Sequence, residues 1–87
     1  MKYAVDWVPS AAIELARLYE QSQDKNEFAQ HVNGIENALA RRPLLIGESR
    51  GGNLRILVDL SIVIEYLVSS NDKLVVVTAV WLYPKKP

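Results

Sequence analysis

The sequence predicts an α+β domain in the order β-α-α-β-β-β, with an antiparallel sheet and a helical hairpin packed on one of its faces. Three observations predict it. Phe28, Val32, Ile35 and Leu39 recur at i, i+4, i+7 and i+11, which is one stripe of an α-helix. Tyr3, Val5 and Trp7 alternate with Lys2, Ala4 and Asp6, the period of a strand with one buried face. Beyond Pro43 the composition changes, and three runs rich in Val, Ile and Leu follow one another at 54–60, 62–68 and 74–83.

Each element has its own local reason. Pro9-Ser10 closes the first strand and opens a helix over about 10–21, because proline is tolerated in a first helical turn. Ala11, Leu15 and Leu18 share one face of it, with Ala12, Ala16 and Tyr19 alongside. The polar stretch Ser22-Gln23-Asp24-Lys25-Asn26 turns the chain. Asp24 followed by Glu27 has the spacing of a capping box for the second helix. Arg41 and Arg42 fall in its last turn, where cations complement the helix dipole, and Pro43 ends it. So short a linker leaves room only for a tight αα-hairpin.

Leu44-Leu45-Ile46 then reads as an apolar connector, and residues 47–53 as a glycine-rich loop. Asp59-Leu60-Ser61 turns the chain between the first two apolar runs. Ser69-Ser70-Asn71-Asp72-Lys73 is a hairpin-type loop before the third. Consecutive strands joined this closely are antiparallel neighbours, and the helices cover one face. The last run is apolar at both alternating sets of positions. A half-exposed strand alternates more cleanly, so the second face also awaits a cover: a partner chain, a second copy, or the chain's own C-terminal tail.

Composition narrows the classes. The 87 residues make one domain, 1–87. Hydrophobic (49%) and charged (23%) fractions suit a globular chain and argue against disorder. Ten basic residues balance ten acidic ones. The basic excess usual in nucleic-acid binders is therefore missing, although a local patch is still open. The absence of cysteine excludes disulfides, thiolate nucleophiles and cysteine-held zinc. No long apolar run follows Met1, and none elsewhere matches a bilayer. The expectation is a soluble, cytoplasmic protein with no membrane partner, no metal and no cofactor.

The ordered set of local strings resembles the RelE/ParE superfamily of toxins from type II toxin–antitoxin systems. Those strings are Val5-Asp6-Trp7-Val8-Pro9, Ile35-Glu36-Asn37-Ala38-Leu39, Pro43 with Gly47, Leu54-Arg55-Ile56-Leu57, Ile64-Glu65-Tyr66, and Leu74 through Trp81. Gly47-Glu48-Ser49-Arg50 and Val80-Trp81 are similar to strings of one branch of that superfamily. The resemblance implies a toxin neutralised by a cognate antitoxin that wraps around it. It also implies a target: either messenger RNA cleaved on the ribosome, or DNA gyrase inhibited without chemistry. Fold does not choose between these, and a catalytically degenerate, non-toxic interaction or homodimerisation module is the alternative. RNA-cleaving relatives carry an Arg at the end of the last strand and a Tyr soon after it in a C-terminal helix. Here Tyr83 falls near the Arg position, followed by Pro84-Lys85-Lys86-Pro87, and the lysine-rich stretch of ribosome-dependent members is missing.

Metal-free RNA cleavage needs a base, a cation for the phosphate charge and an acid for the leaving oxygen. Arg55 and Tyr83 are the candidate catalytic residues. Arg50, Tyr66, Trp81 and Lys85 are candidates for binding substrate or partner. Each has a plainer reading. Arg55 would make a cross-strand pair with Glu65. Tyr66 would pack with its hydroxyl at the rim, and Trp81 would serve core or interface instead of stacking on a base. The loop around Arg50 offers backbone N–H groups to a phosphate, or is a flexible connector; without a following Gly-Lys-Ser/Thr it is not a Walker motif. Lys85-Lys86 would be a solvated tail. His31, the single histidine, has no second ligand or triad partner in sequence, so it reads as a flank residue of the second helix.

Overall fold

The computed structural model describes residues 2–83. In chain order the elements are β1 (Ala4–Trp7), α1 (Pro9–Gln21), α2 (Lys25–Arg41), β2 (Glu48–Ser49), β3 (Leu54–Asp59), β4 (Ile62–Ser69) and β5 (Leu74–Leu82). The strands form one five-stranded sheet in the order β1-β5-β4-β3-β2.

The helices form where the apolar stripes place them. α1 starts at Pro9 in its first turn, after Val8, which has no side chain able to cap it. α2 opens on Asp24, whose carboxylate accepts the Glu27 N–H at 3.0 Å and satisfies one orphan donor of the first turn. Ala11 and Leu18 of α1 and Val32, Ile35 and Leu39 of α2 pack on one face of the sheet. They meet Ile62, Ile64, Tyr66 and Val68 of β4 and Val75, Val77 and Val80 of β5. Burial of each such valine, leucine or isoleucine stabilises by about 1.5–3 kcal/mol, which makes β4 and β5 the base of the core.

The sheet is mixed, not wholly antiparallel. β3, β4 and β5 run antiparallel, as their short loops require. β1 instead lies parallel to β5, with Ala4 opposite Leu74 and Trp7 opposite Val77. The helical hairpin and the three following strands intervene in sequence, and a parallel pair needs just such a long connection. Trp7 Nε1 donates to Glu36 Oε2 at 2.7 Å, and the Tyr3 N–H donates to the Ala40 carbonyl at 2.7 Å, so β1 is also tied to α2.

Two further features escape the sequence pattern. Within the glycine-rich loop, Glu48 and Ser49 form β2 and pair antiparallel with Ile56 and Arg55. The loop is thus a closed hairpin: Arg50 N–H donates to Leu54 O at 2.8 Å and Leu54 N–H to Gly51 O at 3.1 Å. In β5, Ala79 faces Glu65 while Val77 faces Tyr66, leaving Thr78 as the extra residue of a bulge. The bulge switches the parity of the strand. Val75 and Val77 point to the core before it and Val80 after it, so part of the two-sided apolarity of 74–83 is a change of register.

Candidate functional site

The connector after α2 is fixed by a knot of polar contacts that begins with Tyr66. This side chain lies at the centre of the sheet and has 0% exposure. Its hydroxyl lies 2.9 Å from both the Pro43 and the Ile46 carbonyl oxygens, and its one hydrogen is shared between them. Arg55 reaches the same place from β3. Its Nη2 donates to Ile46 O at 3.1 Å and to Gly47 O at 3.3 Å, and its Nε donates to Ile46 O at 3.3 Å. Burial raises the Tyr66 phenol above its ordinary range; the nearby Arg55 guanidinium pulls it back only in part. Gly47 closes the knot at φ +70°, and a Cβ there would stand 2.7 Å from Ile56 O and 2.9 Å from the Tyr66 hydroxyl. Glycine is therefore required by both conformation and space.

This arrangement decides the placement of the candidate residues. Arg55 faces Tyr66, not Glu65, so the expected Arg55–Glu65 pair does not form; Glu65 pairs with Ile56 in register and its carboxylate accepts from the Thr78 hydroxyl at 2.6 Å. Tyr66 sits in the core, not with its hydroxyl at the rim, and has no surface to offer a partner. Arg50 is exposed and donates to the Glu48 carboxylate at 2.9 Å. Tyr83 is 59% exposed, its N–H donating to Ser61 O at 2.6 Å. Tyr83 lies six residues (83 − 77) beyond the Arg55–Tyr66–Val77 row, roughly 17–20 Å along the sheet. Arg55 and Tyr83 are thus not brought together. Trp81 is half-buried opposite Val63, and Lys85 lies outside the described residues.

His31 proves less bland than its sequence position indicates. It lies beside a cavity of about 360 Å³ between the ends of the two helices and the β3–β4 turn, with Gln21, Asp24, Glu27 and Ser61 among its walls. Its Nε2 is buried without a hydrogen-bond partner among the described residues and stands 3.6 Å from Asp59 Oδ1.

Among the described residues no helix covers the opposite face of the sheet, although Val63 within it is buried. Register sorts it into rows. Leu54, Leu67 and Val76 form one, Val58, Val63 and Trp81 another. Between them runs Glu48, Ile56, Glu65 and Ala79, and Asp6 lies at the β1 edge beside Val76. Beyond the Val58 row stands Leu60, 82% exposed and at φ 55°, a left-handed conformation that disfavours a leucine. No strand residue of this face is a lysine or arginine. The nearest in sequence are Arg50 after β2, tied to Glu48, and Lys73 before β5, whose Nζ stands 5.3 Å from the centre of the Tyr3 ring on the core side. No pattern in the sequence marks this face as one surface, because its members come from five strands whose order is non-local.

No family model matches the sequence, and no curated protein matches it. Solved structures do. A chain of the toxin–antitoxin complex RelBE2 from Mycobacterium tuberculosis superposes with a TM-score of 0.79 at 17% identity, over 98% of this chain and 95% of that one. A chain of the chromosomal ParDE toxin–antitoxin system from P. aeruginosa superposes with a TM-score of 0.69 at 15% identity, over 91% and 94%. The fold is RelE/ParE-like. The Pro43…Gly47 and Arg55…Tyr66 strings are structural in this chain: their hydrogen bonds hold the connector against the sheet. Among the described residues, no helix is long and apolar enough to cross a membrane.

Proposed function

We propose that this chain is the toxin component of a type II toxin–antitoxin pair, held inactive in the cytoplasm by a cognate antitoxin, and that it acts by protein contact instead of RNA cleavage. The observation that carries the first part is the likeness, along nearly the whole chain, to chains of two toxin–antitoxin complexes. The second part is supported by the candidate catalytic pair. Arg55 turns its Nε and Nη2 to the Ile46 and Gly47 carbonyls, and Tyr83 lies far along the sheet, just beyond the end of β5. A cation that stabilises a phosphorane-like charge has to stand within hydrogen-bond reach of it, together with an acid and a base. A target such as DNA gyrase, inhibited by binding, makes no such demand.

Tightly controlled expression in a bacterial host, with and without the adjacent gene, tests the reading. Growth arrest relieved by the neighbour is expected, with DNA synthesis falling before protein synthesis. Protein synthesis falling first would move the assignment to an mRNA-cleaving toxin on the ribosome. Well-expressed soluble protein with no arrest would favour the catalytically degenerate interaction module.

A further inference from the structure

We infer that the helix-free face of the sheet receives an apolar protein segment that carries lysine or arginine, and does not receive nucleic acid. The inference rests on the toxin–antitoxin reading only for who supplies that segment; its chemistry comes from the face itself. Leu67, Val76 and Trp81 give the surface its apolar ground, and Asp6, Glu48 and Glu65 set three carboxylates into it. A nucleic acid bound here would bring its phosphates against these carboxylates, whereas phosphate recognition depends on lysine and arginine neutralising the backbone. None of the strands supplies such a residue on this face, and Arg50 already serves Glu48.

The same charges exclude a wholly apolar cover. Glu65 is half-buried and has the Thr78 hydroxyl as its side-chain partner. Covering it with hydrocarbon removes the remaining water and leaves an anion in a low dielectric, which is strongly unfavourable unless a cation comes with the cover. The occupant therefore matches apolar side chains to the leucine, valine and tryptophan rows and sets cations over Glu65 and Asp6. This is charge complementarity of the kind that fixes register and excludes wrong partners at protein interfaces.

Trp81 provides the readout. Three short peptides share one alternating apolar sequence and differ only in having lysine, glutamate or serine at the polar positions. The fourth probe is a short oligouridine RNA. Each is titrated against the whole chain while tryptophan emission is followed, with Trp81→Phe identifying the part of the signal that belongs to this face. The lysine peptide is expected to bind about tenfold more tightly than the glutamate peptide and to weaken with salt. Glu65→Gln with Asp6→Asn is expected to abolish that preference. Asp6→Asn alone, at an exposed edge position, halves the preference or more and serves if the double variant does not fold. Equal binding of all three peptides, no Trp81 response, binding of the RNA at Trp81, or a homodimer that already buries Trp81 would each overturn the inference. The growth assay judges the toxin reading whichever peptide binds, so the two can fail separately.

Discussion

Replacing Tyr66 by phenylalanine removes one oxygen from the middle of the fold and leaves its apolar volume nearly intact. Two carbonyl groups lose a donor: Pro43 O and Ile46 O, each 2.9 Å from the hydroxyl. The loss is unequal. Ile46 O keeps Arg55, with Nη2 at 3.1 Å and Nε at 3.3 Å. Pro43 O keeps no side-chain donor among the described residues, and the site is closed to solvent because Tyr66 and Pro43 are both fully buried. An unsatisfied buried acceptor costs about 1–3 kcal/mol. For a domain of this size that corresponds to a fall in Tm of roughly 5–20 °C. Thermal unfolding followed by circular dichroism reads it directly. A double-mutant cycle with Arg55→Ala adds a second criterion, because both residues serve Ile46 O and their effects should not add. A Tyr66→Phe variant with Tm unchanged within about 2 °C, or strict additivity with Arg55→Ala, would refute the claim that this hydroxyl holds the connector.

The same phenol makes stability depend on pH. Burial raises its folded value above the ordinary value of about 10, so as pH rises the unfolded chain loses this proton first. The unfolded state then binds fewer protons than the native one, and stability falls with pH. The contribution is complete below about pH 10 and is lost as pH climbs through the folded value; urea unfolding of the wild type and Tyr66→Phe should show their difference narrowing over that window. Gly47→Ala forces a side chain into φ +70° with its Cβ 2.7 Å from a carbonyl oxygen, and should destabilise by about 2–4 kcal/mol in the same assay. Gly51→Ala, with nothing within 4 Å of its Cβ, should cost clearly less despite φ +108°. Asp24→Ala removes the cap on Glu27 N–H, and should lower the urea midpoint by the equivalent of about 1 kcal/mol while leaving Asp24→Asn near the wild type.

Much of the fold was legible because it is local. The stripe through Phe28, Val32, Ile35 and Leu39, the Asp24 cap and the turn residues all act within a few positions, and each reappears in place. What the sequence concealed is non-local or small. The parallel pairing of β1 with β5 depends on where a distant strand lands, and no periodicity encodes it. β2 is two polar residues with no apolar signal of its own. Tyr66 could have been suspected of full burial, since it stands within the apolar run of a central strand; that its hydroxyl would find the carbonyls of a proline connector could not. Arg55 misled for the opposite reason. A lone cation on a strand invites a charged partner, and here two backbone carbonyls from the connector take that role. The bulge at Thr78 hid the helix-free face by shifting parity halfway along β5.

The place of β5 in the sheet also sets the timing of assembly. This strand stands between β1 and β4, yet it is made after both, and Ala4 meets Leu74 only when seventy further positions (74 − 4) have been translated. At about 5–20 residues per second, the first strand waits roughly 4–14 s on the ribosome with its pairing edge empty. Until β5 arrives no strand pairing joins the two parts of the nascent chain, a strand with a helical hairpin and a meander of β2, β3 and β4. Neither piece has Val75, Val77 and Val80, the core valines of β5. The helix-free face, to which β5 contributes Val76, Ala79 and Trp81, is incomplete before that moment. A nascent chain of this kind offers this face to a partner only once its last strand has been inserted, on a finished sheet.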